Sequence, residues 1–303
     1  MENISIRAEN VTKKFGEFTA VDSLSVEIRS GRVFGFLGPN GAGKTTTIRM
    51  IVGIIHPDSG RIEVLGSSSP ELVQNKIGYL PEERGLYKKM KIVDQLRYFA
   101  ALKGVSRSEI DRRIDYWLER MKLLEWKNKK SNDLSKGMAQ KIQFISAVLH
   151  DPELLILDEP FSGLDPINVE FLIDIVSELK SQNKTIIFST HLMETAERLC
   201  DDILLINKSR KVVSGTLRDV KSSFRKNIVA LRIIGGEKVL IDKSLVARLE
   251  ENSDEKRVFL AEHADSQLLL RRLINDGATV LKFELVEPSL KDIFIEKITD
   301  PGD

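Results

Sequence analysis

A single cysteine, Cys200, stands in a chain of 303 residues. An internal disulfide is thereby excluded, and the usage fits a reducing compartment. No apolar run approaches the roughly 20 residues that a membrane-spanning helix needs; residues 203–206 are typical of the longest. The opening residues 1–7 hold no apolar segment of the secretory kind, so a cytoplasmic chain is expected. Neither sign of charge dominates, with 46 Lys and Arg against 45 acidic residues. A broad basic field is therefore absent, and nucleic acid is not an expected partner. Repeats and low-complexity tracts are also missing. The length suits one large domain or two unequal ones. Any role at a membrane must come through another protein.

What the chain does carry is concentrated in one stretch. Val33-Phe34-Gly35-Phe36-Leu37 is an apolar, strand-forming run that feeds Gly38-Pro39-Asn40-Gly41-Ala42-Gly43-Lys44-Thr45. A helix-compatible segment opens at Thr46. Strand, glycine-rich turn and helix in that order make a phosphate loop. The glycines let the backbone wrap an anion, so that successive N–H groups and the helix N-terminus point at it. Lys44 would reach the β- and γ-phosphates, and the Thr45 hydroxyl would ligate Mg²⁺. The stretch predicts binding of a nucleoside triphosphate.

Around it, residues 4–36 alternate apolar and polar, reading as an antiparallel β region that leads into the phosphate-loop strand. Phe15 sits in the turn Lys13-Lys14-Phe15-Gly16; on these residues alone it either stacks on a purine base or fills a small core. Residues 76–81 read as a strand ending at Pro81, followed by a charged loop holding Glu82, Glu83, Arg84, Leu86 and Tyr87. From 92 to 122 the apolar spacing turns helical, broken at Gly104. Ser135 in Leu134-Ser135-Lys136-Gly137-Met138 suits a helix N-cap. The wholly apolar strand Leu154-Leu155-Ile156-Leu157 ends in Asp158-Glu159-Pro160. Paired carboxylates at the end of a buried strand, in a chain with a phosphate loop, suit Mg²⁺ and an attacking water. The tight loop 161–166 contains Asp165, a helix follows over 169–181, and a buried strand over 185–189 leads to Thr190-His191. A histidine at a strand end is usually structural.

In this order the pieces resemble the nucleotide-binding subunit of ATP-binding cassette (ABC) transporters, over residues 4–220. The matching features are the stacking aromatic Phe15, the Walker A loop, the signature helix opening at Leu134-Ser135, Walker B at Asp158-Glu159, the loop with Asp165, and the switch histidine His191. The resemblance implies an α/β P-loop NTPase core, with an antiparallel β subdomain and a helical subdomain inserted at about 83–145. The whole forms a domain over residues 1–220. It further implies ATP held by Lys44, Thr46 and the loop amides, and Mg²⁺ held by Thr45 and Asp158. Glu159 would polarise the water, and His191 would sense the γ-phosphate. Two such subunits, identical or not, would dimerise head to tail, with Ser135 and Gly137 of one closing on nucleotide held by the other. An integral-membrane permease would be the second partner, reached from the inner face of the membrane.

Two departures from the family pattern are visible. The usual Leu-Ser-Gly-Gly-Gln has Lys136 and Met138 at its third and fifth positions, while Ser135 and Gly137 are retained. Glu82, or Glu83 beside it, stands where the family carries a glutamine that contacts Mg²⁺ or the water; the rival reading makes Glu82 a solvated loop residue paired with Arg84 or Lys88. Both departures look like those of exporter cassettes. Residues 221–227 suit a linker. Beyond them, strands at 228–234, 256–261 and 279–285, a helix at 265–275 and a capping box at Ser289 read as a small α+β domain over 221–303 without a chemical motif. The rivals are a soluble ABC ATPase acting on ribosomes or DNA and a nucleotide-gated regulatory protein. One cassette and a short insertion argue against the first, and an ATPase assay separates the second.

Overall fold

Period-two alternation over the first thirty residues produces two long strands, β1 (Ile4–Phe15) and β2 (Phe18–Arg29), paired antiparallel. The computed structural model describes residues 3–83, 85–224, 228–252, 254–261 and 263–299. It divides the chain into two units, Met1–Leu217 and Arg218–Asp303. In the first, β3 (Val33–Leu37) has every residue buried, as a strand covered on both faces requires. It runs through the glycine-rich turn into α1 (Lys44–Ile51), and β4 (Ser59–Val64) then adds to β1, giving a three-stranded sheet ordered β2-β1-β4.

β5 (Ile77–Leu80) precedes three helices, α2 (Ile92–Leu102), α3 (Arg107–Arg120) and α4 (Lys136–Val148). Ile92, Leu96 and Ala100 on α2, with Ile110, Ile114 and Leu118 on α3, recur every fourth residue and are buried. That spacing lines up one apolar stripe per helix. Then come β6 (Leu154–Asp158), α5 (Pro166–Ser181), β7 (Thr185–Thr190), α6 (Met193–Leu199), β8 (Asp202–Asn207) and β9 (Arg210–Thr216). The second sheet is ordered β5-β6-β7-β3-β8-β9, parallel except for β9. Ile6, Val26 and Ile28 of the antiparallel sheet share a core with Phe34 and Phe36 of β3, Ile48 and Ile51 of α1, and Ile156, Ile187 and Leu204 of the parallel sheet. The phosphate-loop helix is thus clamped between two sheets.

Helix α7 (Leu217–Ser223) spans the division between the units, so residues 221–223 are helical where a linker is expected; 225–227 lie outside the described residues. The second unit continues through β10 (Ile228–Ile234), α8 (Glu237–Leu240), β11 (Val246–Asn252), β12 (Glu255–Leu260), α9 (Ser266–Asn275), β13 (Thr279–Val286) and α10 (Leu290–Thr299). The four strands form one antiparallel sheet ordered β11-β12-β10-β13. Leu269 and Leu273 of α9 pack with Val229, Leu231, Val258 and Leu260 against one face. The expected capping box is present: Ser289 N–H donates to Asp292, and Asp292 N–H donates to the Ser289 hydroxyl. Strand β11 and helix α8 were not legible from the sequence pattern.

Candidate nucleotide-binding site

Parallel register brings three strand ends to one edge. Leu37 of β3 lies opposite Thr190 of β7, and Asp158 of β6 lies opposite Ser189. Ligands of open α/β sheets bind beyond such carboxyl ends. Gly43 caps α1 with φ of 106°, and a Cβ there would stand 2.4 Å from the Ala20 carbonyl oxygen. Only glycine combines that conformation with that approach. The amides opening α1 are left to an anion.

Lys44 is buried, its Nζ donating to the carbonyls of Gly38 at 2.8 Å and Pro39 at 3.2 Å. Its third neighbour is Glu159 Oε1 at 3.3 Å. Thr45 Oγ1 donates to Asp158 Oδ1 at 3.1 Å, and the Ser189 hydroxyl donates to the same oxygen. Ser189 Oγ in turn accepts the Glu159 N–H at 2.9 Å. Burial raises the Asp158 carboxyl above its ordinary pKa, the Ser189 and Thr45 hydroxyls act the other way, and the Glu159 charge adds to the rise. Asp158 Oδ2 is buried without a hydrogen-bond partner. A buried anionic oxygen left unpaired is costly, and a hard divalent cation is the partner its chemistry fits. With the Thr45 hydroxyl it supplies the one or two protein oxygens Mg²⁺ takes when phosphates provide the rest. Glu159 adopts φ of 48°, a left-handed backbone uncommon outside glycine. His191 Nδ1 lies 3.1 Å from Glu159 Oε2.

Lys44, Thr45, Asp158, Glu159 and His191 are therefore one connected group. Among the described residues no hydrogen bond joins Phe15, Glu82, Ser135, Gly137 or Asp165 to that group. Phe15 is 52% exposed, which rules out its reading as a core residue, and Lys13 Nζ lies 5.7 Å from its ring centroid. Phe18, opposite it across the hairpin, is a second exposed ring that the sequence reading passed over. Ser135 caps α4 by accepting the Met138 N–H at 3.3 Å and is exposed. Asp165 caps α5 through the Asn168 N–H at 3.0 Å. Glu82 is exposed; its rival partner Arg84 lies outside the described residues. Ser189 is the member of the cluster that sequence reasoning missed. Its signal is a polar residue at the carboxyl end of an otherwise apolar strand.

A phosphate loop at the end of a parallel sheet, facing an Asp-Glu pair, defines a P-loop nucleoside triphosphatase of the α/β class. Comparison with known proteins carries this further. The family model described as ABC transporter matches residues 21–162, and that of the DrrA1-3-like ATP-binding protein C-terminal domain matches residues 215–298. The ABC transporter ATP-binding protein YhaQ of Bacillus subtilis is 48% identical over 290 residues, 96% of this chain and 97% of its own. Nod factor export ATP-binding protein I of Rhizobium sp. is 33% identical, covering 97% of each chain. A solved ATP-binding subunit of an ABC transporter is 32% identical with a TM-score of 0.68, over 72% of this chain and 92% of its own. The chain belongs to the ABC transporter ATP-binding proteins. It is an ATPase subunit of a transporter complex, and among its described residues no helix is long and apolar enough to cross a membrane.

Proposed function

We propose that this subunit hydrolyses ATP with Mg²⁺ in a head-to-tail dimer and powers export through a separate membrane permease. The observation that carries the chemistry is the cluster of Lys44, Thr45, Asp158 and Glu159 at the strand ends. Lys44 and the α1 amides hold the phosphates, and Phe15 offers an exposed ring for the base. Thr45 and Asp158 hold the metal ion, which when bound neutralises phosphate charge. Glu159 accepts a hydrogen bond from the attacking water, and His191 steadies that carboxylate through the contact at 3.1 Å. Phosphoryl transfer asks chiefly for such positioning and charge stabilisation.

Ser135, Gly137 and Asp165 make no hydrogen bond to the cluster within one chain, which fits a site completed by a second subunit. Exposure of Ser135 on the first residue before α4 fits that role. Export is favoured by the name of the Rhizobium relative, which matches over 97% of the chain. The permease would be a polytopic membrane protein, and the edge of this chain that docks it is the aromatic group of Tyr87, Tyr98 and Phe99, whose rings lie 5.7–6.3 Å apart. Tyr87 and Tyr98 are exposed there. The C-terminal unit, without chemical motif, regulates or supports dimerisation.

Glu159→Gln tests the catalytic reading. It removes the water's acceptor and keeps the shape, so turnover should fall about 10²–10⁴-fold while ATP binding by calorimetry persists. The variant should then accumulate as an ATP-dependent dimer on gel filtration. Turnover at the native rate would sink the assignment. For the partner, Tyr87→Cys places a reactive thiol on the docking edge, and the native Cys200 is buried. Crosslinking in membranes should capture a polytopic membrane protein; capture of soluble proteins alone would refute the permease reading.

A further inference from the structure

Residues 280–286 read Val-Leu-Lys-Phe-Glu-Leu-Val. The apolar pattern is the same in both directions about Phe283, and the two charged positions carry opposite signs. These residues lie in β13, an outer strand of the C-terminal sheet that pairs with β10 on one side. Among the described residues no strand pairs with its other side. Such an edge offers a row of backbone donors and acceptors to another strand. Of the usual safeguards the strand has one lysine and a bulge at Leu281 but no proline, and Leu281 and Leu285 are 53% and 59% exposed. Its only charges are Lys282 and Glu284.

We propose that β13 is a self-association edge, on which the β13 of a second copy of this chain lies antiparallel about a two-fold axis at Phe283. In that register Lys282 of each copy faces Glu284 of the other, and Leu281 faces Leu285. The charges themselves select the register. Antiparallel neighbours on one face must differ by an even shift, because a shift of one residue moves side chains to the opposite face. The two nearest allowed alternatives centre on residue 282 or 284, and they set Lys282 against Lys282 or Glu284 against Glu284. Like charges directly opposite are unfavourable, whereas opposite charges stabilise a cross-strand pair.

Within one chain, Lys282 Nζ bonds Glu255 Oε2 at 2.8 Å and Glu284 Oε2 at 3.0 Å, so both charges already lie on one face of the sheet. Phe283 lies on the other face, packed against the apolar core of the unit. The register with β10 shifts between Lys282 and Val280, a bulge that ends the regular ladder at Lys282. The paired centre is therefore Lys282, Phe283 and Glu284, flanked by the leucines. Joining two four-stranded sheets in this way removes one exposed edge from each copy. The pairing needs no nucleotide, so it stands or falls separately from the ATP-driven dimer proposed above.

The test is the mass of the full-length chain, without nucleotide, by sedimentation equilibrium. The native chain should dimerise, and Lys282→Glu or Glu284→Lys alone should each weaken the dimer about tenfold or more. The double variant Lys282→Glu/Glu284→Lys restores opposite charges at both contacts and should dimerise again. An equimolar mixture of the two single variants should also dimerise, since one then carries two acidic and the other two basic residues. A monomeric native chain at every attainable concentration overturns the proposal, as does a dimer indifferent to either reversal, or reversals that neither the double variant nor mixing rescues. As a check free of variants, amide exchange in β13 of the native chain should slow as concentration rises; exchange independent of concentration overturns the proposal too.

Discussion

Ser189 is fully buried and touches both acidic residues of the site, giving its hydroxyl hydrogen to Asp158 and taking the Glu159 N–H. Neither group has water to fall back on. Ser189→Ala therefore strands a buried amide and strips a carboxylate of one donor, each loss costing about 1–3 kcal/mol when unsatisfied. The expected outcome is a lowered melting temperature together with a slower ATPase, because the left-handed backbone at Glu159 is held in part by that amide contact. ATP affinity, which rests on Lys44 and the loop amides, should change less. Calorimetry beside a steady-state ATPase assay reads both; an unaltered rate would show that the contact does not position Glu159.

Among elements, β5 and α4 meet backbone to backbone. A Cβ at Gly78 would stand 2.1 Å from the Ala147 carbonyl oxygen and 3.0 Å from Pro152 Cγ. The carbonyl belongs to the last turn of α4, the helix that Ser135 opens, and cannot yield as a flexible side chain would. Gly78→Ala must push strand and helix apart, a loss of about 1–3 kcal/mol or more by the usual cost of overpacking. Gly85→Ala, at a position with nothing within 4 Å, should stay within about 0.5 kcal/mol of the native chain. Urea unfolding of the pair separates close packing from glycine content, since equal midpoints would deny the contact.

For the molecule as a whole, His150 links stability to pH. Burial above all, helped by the nearby Lys103 charge, pushes its imidazole down to about 4 from 6.5, and Nε2 lies 3.1 Å from the Ile77 carbonyl oxygen. Between those two values the unfolded chain binds a proton that the folded chain does not. Stability is then fully present above pH 6.5 and is lost as pH falls toward 4. His150→Gln removes that titration while keeping a donor for Ile77. Melting temperatures should decline more steeply with acid in the native chain than in the variant, and parallel declines would dismiss His150 as a determinant.

The phosphate loop was legible because its meaning is local: strand, turn and helix are consecutive, and glycine and lysine act through the backbone beside them. Asp158-Glu159 was legible for the same reason, as charge at the end of an unbroken apolar run. The second unit was less so. In β11 only Val246, Ala247 and Leu249 are apolar, and no alternation marks the strand; pairing with β12 makes it one. Tertiary structure alone decided that Lys44 meets Glu159, that Ser189 joins the cluster, and that Phe15 is exposed rather than core. Each depends on which strands become neighbours and in what register. Sheet pairing brings Lys44 to Glu159 and Ser189 to Asp158 from well-separated stretches of chain, where no short-range pattern reaches.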